Sequence, residues 1–400
     1  MTQSSNIPPP SAAVPGQGLD GGVSVTEATG EVHTAKTLED TKGPTENEIL
    51  RVENLTVEFP TDDGAVKAVR DVSYSLRERE VLSIVGESGS GKSVSSMALL
   101  GLLPRSARVS GKVLYRGQDL LAMRQKDLRS LRGRKISMIF QDPMTALNPV
   151  HTVGDQLAEA VLAHELVPPK HALERAREML DLVGIPQAGQ RLRSYPHEFS
   201  GGMRQRVMIA MAIINNPDVI IADEPTTALD VTVQAQILEK LLEVKDAVNS
   251  AILLITHDLG VVAGLAHRVL VMYAGRPVEI GATDDVFYRT RMPYTAGLLG
   301  SIPSMTSAHG ERLRPIKGTP PSLINLPRGC PFSPRCPLAD DTCRSAEPPL
   351  VPANGSEGPE ISEASDSAQF GTHLAACHHW ERLAAADDPT AFFRNGGITP

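Results

Sequence analysis

The 400-residue sequence lacks any hydrophobic run long enough to cross a bilayer. Its longest apolar stretches, residues 251–255 and 269–274, are far shorter than the roughly 18 to 20 residues that a membrane helix needs. The first residues are rich in Ser, Pro, Thr and Gly and lack the apolar segment of a secretory signal. These absences predict a chain that resides in the cytoplasm.

Positive charge and cysteine are also scarce. Lys and Arg total 39 against 47 acidic residues, which gives a formal net charge of −8. This balance disfavours general nucleic-acid binding, because any anion site must be local and rely on backbone groups as much as on cations. The four cysteines are too few and too clustered for a disulfide framework in a reducing compartment, so we expect metal ligands. They are Cys330, Cys336, Cys343 and Cys377.

What is present is the composition of a globular α/β protein, with 41% hydrophobic and 22% charged residues. Residues 49–59, 66–76 and 81–85 have the alternation and β-branched content of strands. Segment 218–222, which is apolar after its first residue Asp218, and the wholly apolar segment 251–255 are typical of central strands in a parallel sheet buried on both faces. The pattern therefore predicts a parallel sheet preceded by a β-rich N-terminal part.

Other parts of the chain are not strand-like. Residues 1–47 show no sustained periodicity and predict a disordered tail. Residues from about 145 to 215 have helical spacing, and one helix is expected between Pro169 and Gly184. After about residue 290 the chain becomes rich in Pro and carries the cysteines, and residues 353–368 predict a loop.

A glycine-rich loop follows the apolar strand 81–85 and precedes a run compatible with a helix. This context and spacing match a phosphate-binding loop, in which backbone N–H groups at a helix N-terminus surround phosphate oxygens. Lys92 is expected to bridge the β- and γ-phosphates and Ser93 to ligate Mg²⁺. The loop residues are Gly86, Glu87, Ser88, Gly89, Ser90, Gly91, Lys92 and Ser93.

Two acidic residues, Asp223 and Glu224, stand where a second apolar strand ends. Neighbouring side chains of a strand point to opposite faces, so both acids serve one site only if the strand stops there, and Pro225 favours that stop. Asp223 is expected to support Mg²⁺ and Glu224 to polarise the attacking water of phosphoryl transfer. His257, which follows the strand 251–255, is expected to contact the γ-phosphate.

The segment Phe199-Ser200-Gly201-Gly202-Met203 lies about twenty residues before Asp223. It resembles the signature motif of ABC ATPases, and Ser200 is expected to cap a helix whose free N–H groups, opened by Gly201 and Gly202, form a second anion site. The resemblance covers roughly residues 50 to 345. It implies that two such subunits pack head to tail, so that the signature of one covers the ATP on the other.

The same resemblance implies further site residues. Gln141 matches the glutamine that contacts Mg²⁺ and faces the transmembrane partner, and Ala228-Leu229-Asp230 matches the D-loop. Phe59 lies where the family usually places an aromatic on adenine, although a core phenylalanine fits that position as well. One departure is Arg79-Glu80, where relatives usually carry Gly-Glu, and we expect a changed turn there.

Narrower features resemble the ATPase subunits of oligopeptide, dipeptide and nickel importers. They are Tyr195-Pro196-His197-Glu198 before the signature, Met292-Pro293-Tyr294-Thr295, and Arg328-Gly329-Cys330-Pro331-Phe332 with Pro334-Arg335-Cys336-Pro337. The resemblance implies a P-loop NTPase core with a parallel sheet, an N-terminal antiparallel β subdomain, a helical ABC subdomain at about 145–215 and a small cysteine-bearing C-terminal extension. The ATPase domain is expected at 48–290 and the extension at 291–400.

The implied function is hydrolysis of MgATP to drive peptide import. The implied partners are membrane permease subunits and a second, related ATPase, with a solute-binding protein acting indirectly, at the cytoplasmic face of the membrane. Two alternatives remain open: an importer for nickel or another small solute, and a soluble ABC ATPase outside transport. The second expects a coiled coil, two fused cassettes or a basic face, none of which is visible in the sequence.

The cysteines are separated by five, six and thirty-three residues. Zinc sites favour two to four residues between paired cysteines, so the wider spacing suits a [4Fe–4S] cluster better. Some relatives with this extension are thought to carry such a cluster. Zinc and plain buried thiols remain alternatives, and His373, His378 and His379 near the last cysteine keep a mixed-ligand zinc site open.

Overall fold

The computed structural model describes residues 47–61, 64–227, 229–302, 316–353 and 371–394. The disordered tail predicted at 1–47 lies outside the described residues except for its last position. The loop predicted at 353–368 also lies outside the described residues, except for its first position. The elements described below all belong to the unit formed by residues 44–400.

The strands occupy the N-terminal part and the centre of the described chain. They are β1 (Glu48–Thr61), β2 (Gly64–Arg77), β3 (Val81–Val85), β4 (Arg108–Tyr115), β5 (Gln118–Asp119), β6 (Ile136–Ile139), β7 (Val219–Asp223), β8 (Ala251–Thr256), β9 (Arg268–Tyr273), β10 (Arg276–Ala282), β11 (Val351–Pro352) and β12 (Leu374–Ala375).

The helices lie between and after these strands. They are α1 (Lys92–Leu99), α2 (Gln125–Leu131), α3 (Pro143–Ala146), α4 (Val153–Leu162), α5 (Pro169–Leu182), α6 (Ala188–Arg191), α7 (Gly201–Ile213), α8 (Val231–Val248), α9 (Leu259–Ala263), α10 (Thr283–Tyr288), α11 (Pro293–Leu299), α12 (Asp341–Ser345), α13 (Trp380–Ala384) and α14 (Ala391–Arg394). Short 3-10 turns occupy Pro196–Glu198 and Ser333–Arg335.

Two sheets form the framework. The N-terminal sheet is antiparallel, with strand order β2-β1-β4-β5, and the larger sheet has the order β11-β12-β10-β9-β3-β8-β7-β6. From β6 to β9 the larger sheet is parallel, and every residue of β3, β7 and β8 is buried, which explains their continuous apolar sequences. The predicted α/β architecture is confirmed, and an antiparallel edge of β10, β12 and β11 is added to it.

Helices α3 to α7 lie in the region that was predicted to be helical. Helix α5 begins at Pro169, and Gly184 just beyond it has a φ of 75°, a conformation that glycine adopts without strain. Its buried face consists of Ala172, Ala176 and Leu180. Leu173 also lies at a helical spacing from Ala176, three residues before it, but its side chain is 38% exposed. The buried face of α5 passes through the preceding residue, Ala172.

The cysteine-bearing segment is joined to the larger sheet. Strand β12 pairs with β10 through Glu279 opposite Ala375, so the sheet continues across the domain boundary expected at residues 290 and 291. Phe332 packs against Tyr273 and Tyr294 with ring centroids 5.4 Å away in both cases. The segment therefore shares a hydrophobic core with the sheet.

The turn between β2 and β3 places Arg79 at a φ of 62°, a conformation that glycine adopts easily. The carbonyl of Arg79 accepts a hydrogen bond from Lys245 Nζ at 3.1 Å, while the buried Glu80 accepts one from Arg268 at 3.2 Å. The arginine thus occupies a turn suited to glycine.

Replacing Arg79 with glycine is expected to raise the free energy of unfolding by up to about 1 kcal/mol. A left-handed conformation costs an L-residue about 1–2 kcal/mol, which exceeds the roughly 0.5–1 kcal/mol entropic cost of glycine. Urea unfolding of Arg79→Gly beside Arg79→Ala measures the effect. An alanine variant as stable as the glycine variant would contradict it.

Candidate functional site

The phosphate loop runs from the end of β3 to the start of α1 and passes close to two backbone carbonyls. A Cβ added to Gly86 would lie 2.3 Å from Met272 O, and one added to Gly91 would lie 2.4 Å from Ala68 O. Gly91 also has a φ of 99° immediately before α1. Both positions need glycine because no side chain fits the close backbone approach.

Lys92 is folded back into this loop. It is 4% exposed, and its Nζ donates hydrogen bonds to Gly86 O at 2.7 Å and Glu87 O at 2.9 Å. Burial lowers the pKa of Lys92, while the carboxylates of Glu224 and Asp223 oppose the decrease. The ammonium group is therefore held at the centre of the loop, at the position where a phosphate would offer stronger acceptors.

Ser93 and Asp223 meet across the site. Ser93 Oγ donates a hydrogen bond to Asp223 Oδ1 at 2.9 Å, which brings the end of β7 to the first turn of α1. Burial raises the pKa of Asp223, and the hydrogen bond from Ser93 opposes the increase. A hydroxyl and a carboxylate oxygen side by side are the ligand types that Mg²⁺ prefers.

Glu224 leaves the strand direction immediately after β7. Its φ of 47° is unusual for an L-residue, and its N–H donates a hydrogen bond to Ile255 O at 2.8 Å. The carboxylate accepts hydrogen bonds from Gln141 Nε2 at 3.0 Å and Thr227 Oγ1 at 2.9 Å, and His257 Nδ1 lies 3.4 Å from its other oxygen. The strand therefore stops where predicted, and the turn brings both acids to one site.

A cavity of 570 Å³ joins these groups. It is lined by the phosphate loop apart from Ser90, by Gln141, Glu224 and His257, which the sequence had selected, and by Val94 and Leu298. Asp223 does not line it and is connected to it only through the hydrogen bond from Ser93. Leu298 belongs to α11, beyond the predicted ATPase domain, and an apolar residue without a motif gave no sequence signal. Thr227, which donates a hydrogen bond to Glu224, was also missed because it belongs to none of the predicted motifs.

Phe59 does not line this cavity. It lies near the end of β1, opposite Val66, and packs half-buried against the core between the two sheets. Two roles were considered for Phe59. Its packing is that of a core phenylalanine, and its stacking on adenine stays a prediction.

The residues of the signature segment begin α7. Ser200 Oγ accepts a hydrogen bond from Met203 N at 3.4 Å, as predicted for a helix cap. A Cβ on Gly202 would lie 2.8 Å from Val233 Cγ1 of α8, so this glycine permits close helix packing. Ser200, Gly201 and Gly202 do not line the cavity of the phosphate loop.

Asp230 of the predicted D-loop caps α8, because its Oδ1 accepts a hydrogen bond from Val233 N at 3.0 Å. Ala228 of the same motif lies outside the described residues.

The four cysteines come together although they are spread over 48 positions of the sequence. Cys330, Cys336, Cys343 and Cys377 line one small cavity. The amide of Cys330 donates a hydrogen bond to Cys343 O at 2.8 Å, which fixes two of the four positions. Burial raises the pKa of all four thiols, to about 12 for Cys336 and Cys377. A soft metal centre fits such a set of sulfur donors, since metal binding replaces the thiol protons.

The three histidines near Cys377 have different partners. His373 Nε2 lies 2.9 Å from the buried Glu279, and His378 Nε2 lies 3.0 Å from Ala346 O. His379 Nε2 lies 3.0 Å from Asp340 Oδ2, and the ligand atoms of Asp340, Cys343 and His379 all lie within 4.8 Å of one another. His379 thus keeps a mixed-ligand site open, whereas His373 is engaged at the sheet.

Among the described residues, no helix combines the length and the apolar character needed to cross a membrane. Residues 69–227 match the family model described as ABC transporter. Residues 278–343 match the model described as oligopeptide/dipeptide transporter, C-terminal region. The second match includes three of the four cysteines.

Similar curated proteins carry matching names. The dipeptide transport ATP-binding protein DppD of Bacillus subtilis is 55% identical over 302 residues, which cover 75% of this chain and 90% of that protein. The oligopeptide transport ATP-binding protein OppD of Escherichia coli is 54% identical, with 75% and 89% covered. OppD of Mycobacterium bovis is 56% identical over 76% of this chain, but the match spans only 50% of that longer protein.

Solved structures show the same fold. A dimeric ATP-binding cassette in a post-hydrolysis state bound to ADP and phosphate has a TM-score of 0.53 and 25% identity, and covers 59% of this chain and 99% of that one. A cassette of a cbiONQ complex from Clostridium perfringens has a TM-score of 0.52 and 29% identity, with 60% and 91% covered. With its phosphate loop, its paired acids and these relatives, the chain belongs to the family of ABC transporter ATP-binding proteins that includes the oligopeptide and dipeptide transport proteins.

Proposed function

We propose that this chain is the ATP-binding and ATP-hydrolysing subunit of an importer for oligopeptides or dipeptides. The observation that carries the proposal is the convergence of Lys92, Ser93 and Glu224 on one cavity at the carboxyl ends of parallel strands, with Asp223 bonded to Ser93. Peptides as cargo are supported by the relatives' names and by the match at 278–343.

The chemistry follows from the positions of these groups. Backbone N–H groups of the phosphate loop and Lys92 bind the β- and γ-phosphates. Ser93, Asp223 and Gln141 would hold Mg²⁺, which would neutralise charge on the phosphate oxygens. Glu224 accepts a proton from the attacking water, and His257, 3.4 Å from Glu224, contacts the γ-phosphate.

A second ATPase subunit, most simply a related chain, is needed to complete the site. The signature residues Ser200 to Gly202 do not line the cavity of their own chain. Their helix N-terminus and the nearby Asp230 are therefore available to the nucleotide of a partner packed head to tail. One subunit alone is expected to hydrolyse ATP poorly.

Membrane permease subunits are the partners that couple hydrolysis to transport. An apolar groove of 330 Å³ is lined by Met138, Phe140, Met208 and Met211, and Phe140 directly precedes Gln141 in the sequence. Phe140 is 42% exposed, and Met144 nearby is 58% exposed. Exposed apolar side chains next to a residue of the ATP site suit the docking of permease helices at the cytoplasmic face of the membrane.

The test is reconstitution of the chain with its permeases, a second ATPase and a solute-binding protein in proteoliposomes. We expect MgATP binding by calorimetry and ATP-dependent uptake of labelled peptides. Uptake of Ni²⁺ without peptide uptake would favour the small-solute alternative. ATPase activity without any docking to permeases would favour a soluble ABC ATPase.

Limited proteolysis near residue 290 tests the proposed boundary between 48–290 and 291–400.

We also propose that Cys330, Cys336, Cys343 and Cys377 hold a [4Fe–4S] cluster. A tetrahedral zinc ion would bring its sulfur ligands to about 3.8 Å from one another. Among the described residues, no three of the four sulfurs form a group within 4.8 Å. The cluster would link four positions of the segment and stabilise its fold.

Iron analysis after anaerobic purification tests this assignment. We expect about four iron and four sulfide per chain, together with broad visible absorption from iron bound by thiolates. Cys336→Ser should lose this absorption, and the control His378→Ala should keep it, because His378 already bonds to Ala346. Stoichiometric zinc without iron would contradict the cluster.

A further inference from the structure

Arg335, which lies between Cys330 and Cys336 in the sequence, contacts the phosphate loop directly. Its Nη1 and Nη2 donate hydrogen bonds to the two carboxylate oxygens of Glu87, at 2.6 and 2.8 Å. The two residues are separated by 248 positions in the sequence. A bidentate pair of this kind fixes the relative orientation of both groups as well as their distance.

The surroundings of Arg335 hold its side chain in place. The side chain is 4% exposed, and its guanidinium lies 5.9 Å from the ring centroids of both Tyr273 and Phe332. Its Nε donates a hydrogen bond to Lys317 O at 3.1 Å, and its Nη1 donates one to Tyr273 Oη at 3.2 Å. Arg335 is therefore a preorganised cation, unlike a mobile surface arginine.

Glu87 is held from three sides. Its N–H donates a hydrogen bond to Tyr294 Oη at 2.8 Å, its carbonyl accepts one from Lys92 Nζ at 2.9 Å, and its carboxylate binds Arg335. Glu87 also lines the cavity that has to accept a triphosphate. An unpaired carboxylate in this wall would repel the phosphates, since like charges in a partly desolvated site interact strongly.

We propose that Arg335 is a positioning residue for nucleotide binding. It neutralises Glu87 and holds it against the cysteine-bearing segment, so that the wall of the phosphate site carries no uncompensated negative charge. The affinity for ATP thereby depends on the folded state of residues 316–353, none of which lines the cavity of the phosphate loop. This inference rests on the proposed ATP site and goes beyond it by assigning a function to the contact with the C-terminal segment.

The experiment compares three variants of the full-length protein, with MgATP affinity measured by calorimetry. Arg335→Gln should weaken binding about tenfold, because it leaves the Glu87 charge in the cavity wall. The effect of Arg335→Gln should disappear once the Glu87 charge is removed, so the double variant should bind MgATP within about twofold of Glu87→Gln, whatever the affinity of that single variant. The defect of Arg335→Gln should also shrink in about 1 M salt, which screens the repulsion.

Glu347→Gln is the matched control. Glu347 also joins the C-terminal segment to the rest of the molecule, through Arg70 at 2.8 Å and Arg276 at 3.3 Å, but it does not contact the phosphate loop. It should leave MgATP affinity within about twofold of the wild type, even if the thermal midpoint falls. Iron content, measured in all variants, should not change.

Three results would overturn the inference: an Arg335→Gln variant with wild-type affinity, a double variant about tenfold weaker than Glu87→Gln, or a Glu347→Gln variant impaired as strongly as Arg335→Gln. The last two results would mean that the Arg335–Glu87 contact only helps to attach the C-terminal segment and does not act through the charge of Glu87. Failure of the proposed ATP site looks different, because the wild-type protein itself would then bind no MgATP.

Discussion

Glu224→Gln is expected to lower ATP turnover of the assembled transporter by about a hundredfold or more while MgATP affinity stays within about threefold. Glutamine keeps the shape of the side chain and can still accept the hydrogen bonds from Gln141 and Thr227. It cannot accept a proton from water, so the attack on the γ-phosphate loses its base. Steady-state phosphate release and calorimetric binding measure the two quantities separately.

The control is Glu243→Gln. This charge change lies on α8, where Glu243 is paired with Lys240 on the protein surface, and it should leave turnover unchanged. Hydrolysis by Glu224→Gln at a near-normal rate would refute the assignment of Glu224 as the base.

Gly91→Ala is expected to lower the free energy of unfolding by about 3 kcal/mol or more and to abolish detectable MgATP binding. Its Cβ would lie 2.4 Å from Ala68 O, at a φ of 99°. Because the obstacle is backbone and not a flexible side chain, β2 or the start of α1 has to move. Urea unfolding and calorimetry measure both effects.

Gly89→Ala separates this clash from backbone strain. Gly89 has a φ of 79° in the same loop, but a Cβ there would meet no atom within 4 Å. Its cost in stability should be limited to about 1–2 kcal/mol, the penalty for a left-handed L-residue. Equal destabilisation by the two variants would show that close approach at Gly91 is not the reason for its glycine.

Much of the fold could be predicted because its signals are local. The apolar runs within β7 and β8 predicted buried parallel strands, and all residues of these two strands are buried. Pro169 and Gly184 marked the ends of α5. By contrast, the two-residue strands β11 and β12 have no periodicity, and they form only because β12 pairs with β10 and β11 pairs with β12.

Some residues of the candidate site could likewise be predicted from local sequence signals, whereas others could not. The loop Gly86–Ser93, the paired acids and His257 were selected from spacing, and the structure brings all of them except Ser90 and Asp223 around one cavity. Leu298 and Thr227 carry no motif and were missed. Phe59 was selected by its place in the family pattern, yet its packing against the core follows from the contact between the two sheets.

The sequence alone determined the chemistry of the nucleotide site, because the phosphate loop, its lysine and the acids after β7 are each encoded within a few adjacent residues. Only the tertiary structure decided how distant groups meet. It gathers four cysteines around one cavity and pairs Arg335 with Glu87. Local spacing contains no information about such contacts, since they depend on how separate elements pack in three dimensions.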